Sequence, residues 1–223
     1  MTGDPMIQQP GIVLVFLSIV SLLPILVIAT TSFVKLSVVL SLLRSALGTP
    51  QIPANTVITG LSLVLSLIVM SPVLTAIQDR MAEKDLSLRI LMEGDFQKHA
   101  DLFVACSREP MVSFLLKHAH EQEVTMMREM VVASHGLDVG QEGSPVLVAV
   151  AAFVLSELKE AFQIGFIIFL PFLIIDMVVA NILQAMGMVM LSPTTISLPF
   201  KLLLFVLADG WHLLIQGLVA GYL

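Results

Sequence analysis

Between Asp4 and Lys35 the chain runs for thirty residues without a charge, and between Arg44 and Asp79 for thirty-four. A membrane span needs about 20 apolar residues, so each run can hold one helix. Helix is the expected form, because lipid offers backbone donors and acceptors no outside partner. The alternation of a membrane barrel strand is absent. An all-α, membrane-inserted architecture follows, and only 13% of the 223 residues are charged, against about 25% in soluble domains.

The charges are also unevenly placed. Residues 1–76 carry three (Asp4, Lys35, Arg44), and 146–223 carry six (Glu157, Lys159, Glu160, Asp176, Lys201, Asp209). The remaining nineteen, seven basic and twelve acidic, lie between Asp79 and Glu142. The chain thus divides into an apolar region (1–76), a charged insert (77–145) of net charge −5, and a second apolar region (146–223). The net charge of −6 and the lack of a basic stripe argue against nucleic acid as a partner. The single cysteine, Cys106, can form no internal disulfide.

The first apolar segment, 11–29, contains Pro24, which removes a backbone hydrogen bond and kinks the helix. The start, MTGDPMIQQP, has no basic n-region and no clean cleavage site follows, so the first helix is expected to remain in the protein. Lys35 and Arg44, nine residues apart in 30–50, fall on roughly opposite helical faces. Gly48, Pro50 and Pro53 end that helix. The second long segment, 54–74, is expected to stop at Ser71-Pro72. Lys35 and Arg44 are the only basic residues of the first region, which puts their connection at the cytoplasmic side and the insert outside.

The insert reads as short amphipathic helices. Met111, Phe114, Leu115 and His118 recur at helical spacing, Pro110 suits a first turn, and Gly136 to Pro145 reads as a linker. Beyond it, apolar stretches cover 146–156, 161–185 and 198–223, with Pro171 a candidate break in the second. AMGMVMLSPTTISLP, holding Gly187, Pro193 and Pro199, reads as an irregular loop. Irregular backbone at membrane depth is tolerated only inside protein or beside a water-filled path, which points to a conduit.

Asp176 and Asp209 stand alone in apolar sequence, where each charge costs about 2.5–3.5 kcal/mol at mid-bilayer on insertion scales. Paired carboxylates could activate water in an intramembrane protease, but nothing beyond the two aspartates supports that. Pairing with a basic group on a neighbouring helix or subunit accounts for them better, and Lys201 and Lys159 are available. Glu157 and Glu160 share a helical face and Lys159 points elsewhere, which suits inter-subunit ion pairs better than a proton relay. His118 and His120, two apart, do not share a face and make a poor zinc pair. No catalytic or cofactor motif occurs. Met186, Met188 and Met190 cluster in the proline-flanked loop, where unbranched, polarizable side chains can seal an irregular surface and still move aside.

Three stretches carry a resemblance to a known family: LSELKEAFQIGFIIFLPFLIIDMVVA (155–180), PTTISLPFKLLLFVLADGW (193–211) and TSFVKLSVVLSLLRSALGTPQIPANTVITGLSL (31–63). With them the chain resembles the FliP/SctR family of type III secretion export apparatus proteins. Ala151 stands where the family usually has proline, and its run of three methionines is broken here as Met188-Val189-Met190, with Met186 before it. The resemblance implies a non-enzymatic, cofactor-free homopentamer that joins SctS-like and SctT-like subunits, export gate and rod or needle components. It also implies a channel in the bacterial inner membrane that passes unfolded proteins, standing largely on the periplasmic side. Met186, Met188 and Met190 would form its gasket, with Glu157, Lys159, Glu160, Asp176, Lys201 and Asp209 as pairing charges. Flagellar members commonly carry a cleaved leader, so an injectisome member is favoured. A small-solute or ion transporter is the alternative; it should show an internal repeat, and none is convincing.

Overall fold

Leu36, Val39, Leu40, Leu43, Ala46 and Leu47 recur at three- and four-residue spacing and are all buried. They form the inner face of α2 (Phe33–Leu47), the helix around which the other elements gather. The computed structural model describes residues 17, 21–22, 24–49, 51–83, 96–135, 144–188 and 190–222, with only the backbone at 83, 96–102 and 144. Every element among these is a helix. A short piece, α1 (Pro24–Thr30), meets α2 at a bend of 84°. There follow α3 (Asn55–Glu83), α4 (Phe96–His118), α5 (Glu121–His135), α6 (Ser144–Ala185), α7 (Pro193–Leu207) and α8 (Gly210–Ala220). The bend between α7 and α8 is 62°.

α6 is the hub, touching α2, α4, α5 and α7. Its crossing with α2 is close because position 165 is glycine: a Cβ there would lie 2.2 Å from Leu42 Cδ1. Val69, Met70, Val73 and Ile77 of α3 share a core cluster with Phe114 and Leu115 of α4, Ala149 and Phe153 of α6, and Tyr222. The charged insert is thereby stitched to both apolar regions. A second cluster joins Leu36, Val39, Leu65, Ala161 and Leu218. A third joins Leu43, Ala46, Leu47, Phe172 and Phe205.

Several expectations change. The prolines do not interrupt the helices: α3 passes Pro72 and runs to Glu83, α6 passes Pro171, α7 passes Pro199, and α4 passes Pro110. Each proline loses one backbone bond, but its flanks are held by packing. Val69 and Val73 are buried on either side of Pro72, Ser197 and Lys201 on either side of Pro199, Cys106 and Phe114 on either side of Pro110, and Phe172 directly after Pro171. Pro193 costs nothing at the first helical position, where its missing N–H would be unpaired anyway. Pro24 is helical, as are Ser21 and Leu22 before it, and the sharp bend comes later, at Thr31–Ser32. The irregular loop shrinks to 186–192, and the stretches 146–156 and 161–185 merge into one helix of 42 residues. The linker at 136–143, Pro50 and most of 11–23 lie outside the described residues.

At 1.5 Å per residue α6 is about 63 Å long, roughly twice a bilayer's hydrocarbon core. Its first half is packed by α2, α4 and α5, and α2 and α7 reach into its second half at Phe172 and Asp176. Its second half leaves Phe166, Ile167, Ile174, Val178 and Ile182 exposed. Among the described residues, two helices can cross a membrane by length and composition, or up to four if each bent pair counts as one span.

Candidate functional site: two buried ion pairs and a methionine loop

Lys35 is 3% exposed and Glu157 1%, so neither charge can be met by bulk water. The Lys35 ammonium donates to Glu160 Oε2 at 2.8 Å and to Glu157 Oε1 at 3.5 Å. It also sits 3.9 Å from the centre of the Tyr222 ring, an arrangement that favours a cation. The Tyr222 hydroxyl donates to Glu157 Oε2. Glu160 is shared outward, its Oε1 lying 2.8 Å from His120 Nε2. The His120 backbone N–H donates to Ser156 Oγ at 2.9 Å, and Lys159 reaches Glu123 at 3.1 Å. One face of α6 therefore binds α2 and the chain's end, and the neighbouring face binds the turn between α4 and α5. His118 lies apart, its ring against Phe114 and Tyr222. Burial there, aided by the Lys117 and Lys35 charges, lowers its pKa.

The second pair is simpler. Lys201, 3% exposed, donates to Asp176 Oδ2 at 2.6 Å and to the Ala46 carbonyl at 3.2 Å. The Ser197 hydroxyl donates to the other Asp176 oxygen. These bonds tie α7 to α6 and to the end of α2. Asp209 differs: its side chain is exposed and, among the described residues, meets no partner. The methionines differ again. Met186 is 61% exposed, Met188 42% and Met190 fully, on the loop between α6 and α7.

Glu157 and Glu160 do share a face, Lys159 does point away from it, and Lys201 is the partner of Asp176. Sequence reasoning missed Lys35 as the central cation, along with His120, Ser156, Glu123 and Tyr222. A lysine inside an apolar helix was the available signal for Lys35; it was read as a topological marker, a role that its burial in an ion pair removes. Only Arg44 remains to orient the first region.

The FliP family profile matches residues 16–218, so both ion pairs and the methionine loop fall within it. The chain belongs to the FliP family. The Yop proteins translocation protein R of Yersinia pestis is 45% identical over 221 residues, covering 97% of this chain and 99% of that protein. The virulence protein YscR of Salmonella typhimurium is 41% identical over 221 residues, covering 98% of each. The flagellar biosynthetic protein FliP of Pectobacterium carotovorum is 44% identical over 209 residues, covering 94% of this chain and 77% of that protein. Relatives named for translocation or virulence and relatives named for flagellar biosynthesis are thus similarly near.

Proposed function

We propose that this FliP-family membrane protein is a pore-forming subunit of a type III export apparatus, assembled as a pentamer with SctS-like and SctT-like subunits in the bacterial inner membrane. The protein-export role rests on family membership across nearly the whole chain, which sets aside the solute transporter. In this reading the insert (77–145) lies on the periplasmic side between the two apolar regions, and unfolded proteins pass through the centre. Export gate and rod or needle components bind the assembled subunits. The chain holds no cofactor and catalyses no reaction; it forms a conduit, and we assign it to an injectisome.

Met186, Met188 and Met190 form the gasket. What supports this is their placement: three exposed thioether side chains on a seven-residue loop between two helices. Buried Glu157 and Lys35 with half-buried Glu160, and buried Lys201 with Asp176, hold the helices that carry the loop, while Lys159 fixes the insert. Replacing the three methionines together by alanine is expected to leave assembled complexes that leak small ions in the closed state. Unchanged permeability of such complexes removes the gasket assignment.

A further inference from the structure

The two apolar regions hold eight charged residues among those described: Lys35, Arg44, Glu157, Lys159, Glu160, Asp176, Lys201 and Asp209. Six have an oppositely charged partner within the chain. The two left over have opposite signs. Among the described residues Arg44 meets no carboxylate; its hydrogen bonds there, to Asn55 Oδ1 and the Pro53 carbonyl, both leave from Nη1. Nε and Nη2 remain to bind a carboxylate, for which the planar guanidinium is suited. Asp209 meets no cation among the described residues.

Asp209 is also held in place. Its backbone is left-handed, φ 49° and ψ 48°, at the corner between α7 and α8. Aspartate is among the few residues besides glycine that take this conformation readily, which suits it to the corner. Gly210 closes the corner onto Phe205, where a Cβ would come within 2.3 Å of the ring, and Trp211 meets the same ring edge-on at 5.4 Å. Around the carboxylate Val206, Leu207 and Leu213 are 72%, 78% and 60% exposed. Near Arg44, Ile52 and Val57 are 74% and 57% exposed. A lone charge ringed by exposed apolar side chains is a costly surface unless another protein covers it.

The two groups sit on neighbouring stretches of one protomer. Leu43 and Phe205 share one core cluster, Arg44 follows Leu43, and Asp209 stands one turn beyond Phe205. A rotation that generates a ring repeats both surfaces on every copy, so it can bring Arg44 of one copy to Asp209 of the next.

We infer that Arg44 of one copy binds Asp209 of the next, so that each copy offers a cation to one neighbour and a carboxylate to the other. This is a head-to-tail contact, the kind that closes into a ring, and it rests on the pentamer proposed above. It gives that ring a direction and names the two surfaces that meet: the α2–α3 connection and the α7–α8 corner.

The test uses full-length chains with Cys106→Ser, which removes the only cysteine. Differently tagged Arg44→Cys and Asp209→Cys chains are co-expressed, and their membranes are treated with a short bis-maleimide. Covalent dimers carrying both tags are expected, with about tenfold less product when either variant is expressed alone. The Arg44→Cys/Asp209→Cys double variant should give a ladder beyond the dimer. A ladder that stops at two overturns the head-to-tail arrangement, and mixed chains that link no better than single ones overturn the contact. Native mass of the untreated complex separates the failures: normal oligomers without the link sink this contact alone, whereas a lone monomer sinks the ring with it. Charge reversal gives an independent reading. Asp209→Arg and Arg44→Asp should each cut oligomer yield about tenfold, since like charges then face each other, and the double swap should restore most of it. Two single losses without rescue in the double swap overturn the pairing.

Discussion

One ammonium group serves two carboxylates at the centre of this protein. Lys35 reaches Glu157 and Glu160, residues 122 and 125 positions away in the chain. Removing one partner of a buried ion pair is far more damaging than never having built it, because the remaining charge loses its counter-ion without regaining water. Lys35→Met is therefore expected to destabilise the protein by about 3–5 kcal/mol, read as a shift in denaturant midpoint in detergent. Adding Glu160→Gln to Lys35→Met should recover part of that loss. No loss from Lys35→Met means the cluster is solvated. His118 gives a pH dependence. Its pKa is lowered mainly by burial, so the folded state holds it neutral while the unfolded chain takes up a proton below the ordinary value of 6.5. Stability from this residue is present above that value and is lost on acidification. His118→Phe should flatten the fall in stability between about pH 7 and pH 5, and an unchanged slope would place the acid sensitivity elsewhere. At this scale the sequence was half legible. Glu157 and Glu160 share a face by their spacing alone, but the lysine between them comes from across the fold. Tyr222, the only tyrosine, carries no local signal of the carboxylate it meets.

The helices show why local rules for proline misjudge this chain. Pro72, Pro110, Pro171 and Pro199 each lie inside a continuous helix. The roughly 3 kcal/mol penalty of an interior proline is met by the burial of its neighbours, which a single sequence does not display. Helix existence was legible from the charge-free runs; helix ends were not, because packing sets them. Close packing also makes a prediction at the α2–α6 crossing. Gly165→Ala would put a Cβ within 2.2 Å of Leu42 Cδ1, and overpacking of this kind typically costs about 1–3 kcal/mol. Leu42→Ala in the same chain vacates that space. Double-mutant analysis should therefore find Gly165→Ala markedly less harmful beside Leu42→Ala than alone. Additive losses would mean that the two helices part readily at this point.

At the scale of the whole molecule, α6 is too long for the bilayer and too apolar for water. A hydrophobic face of that length needs either lipid or protein, and the two make different demands on a charge. Phe166 and Ile174, 66% and 60% exposed, lie on the bare half of α6, while Phe172, 4% exposed, belongs to the core beneath. If neighbouring copies cover the bare face, Phe166→Glu and Ile174→Glu should leave the protomer folded and held in the membrane fraction. Their own stability should change by only about 0.5 kcal/mol, as for other exposed sites, while co-purification of differently tagged copies falls about tenfold, one carboxylate per interface sufficing for that. Phe172→Glu should instead unfold the protomer, since it buries the charge in the protomer's own core. Loss of membrane retention with Phe166→Glu or Ile174→Glu, at normal folding, would assign the face to lipid. Composition could not separate these cases, because a residue that meets lipid and one that meets another copy are equally apolar; what separates them is whether a charge on the exposed face of α6 releases the protomer from the membrane or only from its neighbours.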